Sequence, residues 1–317
     1  STGFAPSTAA KMRKSFEAFC NWATEHLSAR LETVFCNCEA TESALRAFGL
    51  HLYSEGLPRY LLVYAITAVQ DRFPSYRNRL TAAWQVDKKW QMAEPGSCRA
   101  VLPLAAVRAA ITLAALWGWH DWAGIVILGF LAMLHPAEMM LLQRRDLVFP
   151  RDAFGHVPAL FVHLRSPKTS RFARRQHGRI DDKFAIEFLE SVFYEQPLDT
   201  HLFPASLHAF RRQWDAEMTR LAIPCRAAVR GATPGVLRGS GATHFYQQTE
   251  NIQLLAWRGR WARTRTLEFY LQEVAAQMLL GELSPPDRQR IVVLDAACRS
   301  VLQKVISEAR PVRGRRE

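Results

Sequence analysis

The chain has 317 residues, 49% of them hydrophobic, with 9 Trp and 18 Phe; this is enough apolar material for the cores of two ordinary domains and excludes a solvated tail. A formal net charge of +12 and a pI near 9.8 point to a polyanionic partner, nucleic acid or an anionic membrane surface, without choosing between them. The best membrane candidate, residues 122–134, is bounded by His120-Asp121 and His135-Pro136 and falls short of the roughly 20 residues a bilayer needs, while the scattered Cys20, Cys36, Cys38, Cys98, Cys225 and Cys298 read as reduced thiols of an intracellular protein with no zinc-site spacing.

From the N-terminus, apolar residues recur at helical spacing over 8–31, 41–53, 58–73 and 76–90. The third segment stops at Phe73-Pro74, because proline disfavours helix in the residue before it. Basic side chains recur on the polar faces: Lys11, Arg13, Lys14, Arg72, Arg77, Arg79, Lys88 and Lys89. They are readable either as ordinary solvated faces or as contacts to a phosphate backbone. Turn chemistry at 92–97, with Pro95-Gly96, marks a linker. The expected organisation is a helical domain over 1–96, a second domain over 97–283, and a C-terminal helix with a basic tail over 284–317.

The second domain opens with two segments, 103–117 and 122–140, so apolar that they read as core helices buried nearly all round. The pattern then changes to short β-rich runs at 146–149, 159–164 and 176–180, which predict a small antiparallel sheet. Arg165, Lys168, Arg171, Arg174 and Arg175 crowd the connection between the second and third runs, a hairpin tip suited to phosphate contacts. Helical spacing returns over 184–194, 207–221, 240–248, 252–257 and 266–280, and a last amphipathic helix starts after Ser284-Pro285-Pro286. The fold class expected is mainly α with a small antiparallel β-sheet (α+β).

Four segments fall in a recognisable order. Leu134-His135-Pro136-Ala137-Glu138, followed by apolar residues and Asp146, resembles the Gly-Leu-Arg-x-x-Glu box of the tyrosine recombinase (phage integrase-like) family, with His135 where the family has arginine. Ser166-Pro167-Lys168 resembles the hairpin of that family's catalytic lysine. Gly235-Val236-Leu237-Arg238, continuing to Ala242-Thr243, resembles its His-x-Leu-Arg-His-x-x-Ala-Thr box, with Gly235 in place of the first histidine. Trp261 and Tyr270 match the closing pair in type and spacing. The resemblance covers residues 100–280; the helical first domain matches the family's core-DNA-binding (SAM-like) clamp only in type.

The resemblance implies double-stranded DNA as partner, no cofactor, no metal and no membrane. It implies a homo-oligomer on paired DNA sites, the helix after Ser284 being able to dock on its own domain or a neighbour, and an intracellular, DNA-associated location. Tyr270 would attack phosphorus to give a phosphotyrosine that stores the bond's energy. Arg238 would clamp the non-bridging oxygens, and Lys168 would protonate the departing oxygen. Trp261 would donate an indole N–H and pack, and His135 would stand in for the missing arginine. Arg258 and Arg260 join the candidate DNA contacts; with Arg263 and His244 they are the nearby cations able to compensate. Loss of one charge-stabilising donor costs on the order of 10²- to 10³-fold in rate, so two readings stand together: a strand-exchange enzyme, and a descendant that binds duplex DNA without cleaving it. A third, a helical protein for RNA or a protein partner, is distinguished by lacking a steep salt dependence of DNA affinity.

Overall fold

The computed structural model describes residues 4–27, 30–94, 100–153, 156–165, 177–225 and 231–309, without the side chains of residues 265, 268 and 269. Two compact units divide the chain, Ser1–Ser97 and Cys98–Glu317. The protein is mainly helical with one small antiparallel sheet.

In the first unit, α1 (Pro6–His26), α2 (Leu31–Val34), α3 (Cys38–Ser54), α4 (Tyr60–Arg72) and α5 (Thr81–Ala93) enclose a core that includes Phe19, Leu45, Phe48, Leu62, Ile66 and Trp90. Asn37 caps α3 by accepting the Ala40 N–H at 2.8 Å, satisfying one of the orphan donors of a first turn. The helix expected over 76–90 begins later. Residues Pro74–Tyr76 wind into a 3-10 turn and Asn78 takes a φ of 63°, a conformation that Asn tolerates and a helix does not. Arg59 reaches Asp87 at 2.6 Å and ties the entry of α4 to α5.

The second unit is built around α6 (Leu104–Leu116) and α7 (His120–Leu131), both buried on most faces. The single helix expected over 122–140 is broken. α7 ends at Leu131, Met133 takes a φ of 52°, and α8 (Pro136–Leu141) restarts after an extended His135. Pro136 explains the break, since its ring excludes the helical conformation from the preceding residue.

Strands β1 (Leu147–Val148), β2 (Leu160–His163) and β3 (His177–Ile180) pair antiparallel in that order, with Leu147 opposite Val162 and Leu160 opposite Ile180. These four residues are buried, so one face of the sheet is committed to the core and the register is specified. The first strand is shorter than expected because Arg144–Asp146 form a 3-10 turn. The hairpin connection expected to carry Lys168 lies outside the described residues.

Next come α9 (Lys183–Phe193), α10 (Leu207–Arg220), α11 (Val236–Thr249) and α12 (Ile252–Gly259). Trp122 of α7 stacks on Phe210 of α10 with centroids 5.5 Å apart, and the Trp214 indole N–H donates to Ala232 O at 2.6 Å, pinning the segment that leads into α11. A Cβ added at Gly241 would lie 1.9 Å from the Phe130 carbonyl oxygen. Only glycine lets α11 and α7 approach this closely. The helix expected over 266–280 is also broken, into a 3-10 turn at Thr264–Phe269 and α13 (Glu273–Glu282). α14 (Pro285–Ala309) packs on α6 and α9 of its own unit, burying Ile291, Cys298, Leu302, Val305 and Ile306. Among the described residues no helix is long and apolar enough to cross a membrane, and Cys20, Cys36, Cys38, Cys225 and Cys298 are free thiols.

Candidate active site

Arg238 lies in the first turn of α11 and is 5% exposed. Its Nη1 donates to the Met133 carbonyl oxygen and its Nη2 to Gly259 O at 2.7 Å. Nε is buried with no hydrogen-bond partner among the described residues. The break after α7 therefore has a consequence: the left-handed turn at Met133 frees a carbonyl, and the arginine takes it. The indole of Trp261 lies 4.2 Å from the guanidinium carbon, a cation–π arrangement that partly replaces lost hydration. Gly259 permits this placement, because a Cβ there would sit 1.6 Å from Trp261 Cζ3.

Tyr270 completes the group. Its side chain interacts with the Arg238 charge, and its ring centroid is 5.2 Å from that of Trp261. Thr243, one turn and a half along α11 from Arg238, holds the backbone: its hydroxyl donates to Tyr270 O at 3.0 Å and accepts the Gln272 N–H at 3.3 Å. This side-chain tether replaces the helical ladder at 270–272, which is why Tyr270 ends the 3-10 turn instead of lying inside a helix.

A second arginine is buried beside the first. Arg260 pairs with Glu138 at 2.9 Å, with side chains 6% and 7% exposed, and also donates to Met133 O at 3.3 Å. The other role of Glu138 is to accept the His135 N–H at 2.9 Å. Two neighbouring guanidinium groups thus face a single carboxylate, which pairs with Arg260 and acts on Arg238 only through its charge, leaving one positive charge in excess. Burial, and then Arg260, push the Arg238 pKa down to about 10, against the opposing pull of Glu138 and Tyr270. It remains charged at neutral pH, but costly to keep so. An anion placed against this cluster would supply the missing countercharge.

Arg238, Trp261 and Tyr270 are brought together, and His135 enters through its backbone bond to Glu138. Lys168, Arg171, Arg174 and Arg175 lie outside the described residues. Arg165 is clasped by Asp146 at 2.7 and 2.6 Å, and Arg258 by Asp181 at 2.7 Å. Arg260 lies within the buried cluster and not on the surface with the other candidate DNA contacts. Lys11, Arg13, Lys14, Arg77, Arg79, Lys88 and Lys89 are exposed on the first unit. Met133 and Gly259 were not among the residues the sequence singled out. A glycine two positions before the tryptophan was the available signal for Gly259; nothing local marked Met133.

No protein-family model matches the chain, and no curated protein matches it in sequence. Among solved structures it is similar to the crystal structure of XerA recombinase at 14% identity and a TM-score of 0.41, with 98% of this chain and 94% of that chain covered.

Proposed function

We propose that the second unit binds a DNA phosphodiester against Arg238 and cleaves and rejoins the strand through Tyr270. The observation that carries this reading is the buried Arg238 guanidinium, stacked on Trp261, with the Tyr270 ring 5.2 Å from that of Trp261 and its side chain interacting with the Arg238 charge, in a cluster with one uncompensated positive charge. The phenol gives up its proton to solvent as its oxygen attacks phosphorus, the bond to the 5′ oxygen breaks, and that oxygen takes a proton, so that a covalent phosphotyrosine and a free hydroxyl result. Attack of a hydroxyl on the phosphotyrosine reverses the step without other energy input. Negative charge gathers on the non-bridging oxygens, where donors held in place before reaction are worth most. Lys168 is the proposed proton donor, and exposed cations of the first unit supply further phosphate contacts.

A second reading has its own support. Gly235 offers no side chain to the phosphate and His135 stands where a permanent cation is expected, so the unit would hold DNA without cleaving it. The two are separated by incubating the protein and its Tyr270→Phe variant with a mixed pool of nicked duplexes, then denaturing and seeking a protein–DNA adduct by gel and mass. An adduct that maps to Tyr270 and vanishes in the variant is expected. Salt-sensitive DNA binding with no adduct leaves the holding function alone, and absence of DNA binding refutes both.

A further inference from the structure

We infer that the second unit carries a separate binding site for a guanidinium group, at the opposite end of α7 from Met133. The site is a cavity of about 630 Å³ whose lining includes Trp119, Asp121, Trp122, Phe203, Arg212 and Gln213. α7 has 12 residues, so at a rise of 1.5 Å each the cavity end lies roughly 18 Å from the Arg238 end. This inference stands independently of the reading of Tyr270.

Two acceptors in the lining lack donors. Gln213 Oε1 is buried without a hydrogen-bond partner, and Asp121 makes no hydrogen bond or ion pair among the described residues. Buried acceptors are nearly always satisfied in native proteins, so the buried Gln213 Oε1 beside a half-buried, unpaired carboxylate calls for a ligand that brings N–H groups. Burial raises the Asp121 pKa, with His120 opposing it, as expected of a carboxylate that has lost water and not yet gained a cation.

The walls narrow the chemistry. Trp119 is braced edge-on against Trp117 at 4.8 Å, and it follows Gly118, whose φ of +77° makes the sharp turn out of α6. Trp122 and Phe203 are buried. Aromatic faces with a carboxylate and an amide oxygen suit a planar cation that can stack while its fan of N–H groups reaches both acceptors. That describes a guanidinium better than an ammonium. Arg212 lines the same cavity without pairing with Asp121 and offers a grip for a carboxylate elsewhere on the ligand. The guanidinium has two possible sources, a free amino acid or amine and an arginine side chain of a partner protein.

Binding is read on the full chain by calorimetry and tryptophan fluorescence with three probes: L-arginine, agmatine, and an acetylated, amidated arginine peptide. Saturable binding at millimolar or lower concentration is expected. Tighter binding of L-arginine than of the other two assigns the free amino acid; tighter binding of the peptide assigns a partner side chain. Asp121→Asn weakens the favoured probe by roughly 10- to 100-fold, the range for a charged hydrogen bond, and Gln213→Met by roughly 2- to 10-fold. Neither substitution changes side-chain size much, and melting temperatures confirm that both variants are folded. Tetramethylammonium, a cation without N–H donors, does not compete. The inference is overturned by the absence of saturable binding, by binding unchanged in both variants, or by equal competition from tetramethylammonium.

Discussion

Glu217 of α10 is fully buried beside Phe210, Trp214 and Met218, and neither carboxyl oxygen has a hydrogen-bond partner among the described residues. Burial pushes its pKa up to about 8 from an ordinary value near 4.5. The folded protein therefore keeps this carboxyl protonated at neutral pH, while the unfolded chain ionises it. The sign follows: stability from this group is fully present below about pH 4.5, falls as pH rises, and levels off above about 8. At about 1.36 kcal/mol per pH unit, the group costs about 3 kcal/mol at pH 7 and under 1 kcal/mol at pH 5. Glu217→Met keeps the length of the side chain and removes the titration. The advantage of the variant over the parent should therefore grow by about 2 to 3 kcal/mol between pH 5 and pH 7 and change little above pH 8. Urea unfolding of both proteins at pH 5, 6, 7 and 8 measures this. A variant whose pH dependence parallels that of the parent would mean that Glu217 titrates normally in the fold, and the reasoning would be wrong. The same helix fastens the entry of α11 through Trp214, so a gain here should firm the Arg238 site without touching it.

Three further outcomes are expected. Glu138→Gln leaves Arg238 and Arg260 buried with no anion and should cost roughly 3–5 kcal/mol; sulfate should recover more stability in the variant than in the parent at equal ionic strength, and equal responses would argue against an anion-seeking cluster. Gly259→Ala forces the Trp261 indole off the guanidinium, with a loss of roughly 1–3 kcal/mol and an altered tryptophan emission; normal stability and normal adduct yield would show that the stack is dispensable. Gly235 has φ −64° and ψ −14°, and an added Cβ meets nothing nearer than Thr233 Oγ1 at 3.7 Å. Gly235→Ala should thus stabilise by about 0.4–1 kcal/mol in thermal unfolding, and Gly235→His should fold and raise adduct formation, whereas a destabilised alanine variant would show the glycine to be required.

Much of the architecture was legible from local pattern. Four helices of the first unit (α1, α3, α4 and α5), the apolar α6 and α7, the three short strands and the final amphipathic α14 follow from periodicity, because each element's spacing of apolar residues encodes which face it buries; the segment expected to be one helix over 8–31 instead ends α1 at His26 and starts the short α2 at Leu31. The identities and order of Glu138, Arg238, Trp261 and Tyr270 could also be read directly. What only the tertiary structure decided is how these residues are held. Arg238 reaches Met133 across 105 residues and Gly259 across 21, and Arg260 reaches Glu138 across 122. Periodicity reports neighbours three or four residues apart, and it is silent on such pairs. The same limit hid the break at Met133, the departure of Tyr270 from a continuous helix and the burial of Arg260. In each case a distant side chain or carbonyl satisfies the backbone or the charge, and that partner is chosen by the packing of α7, α11 and α12, not by the residues on either side.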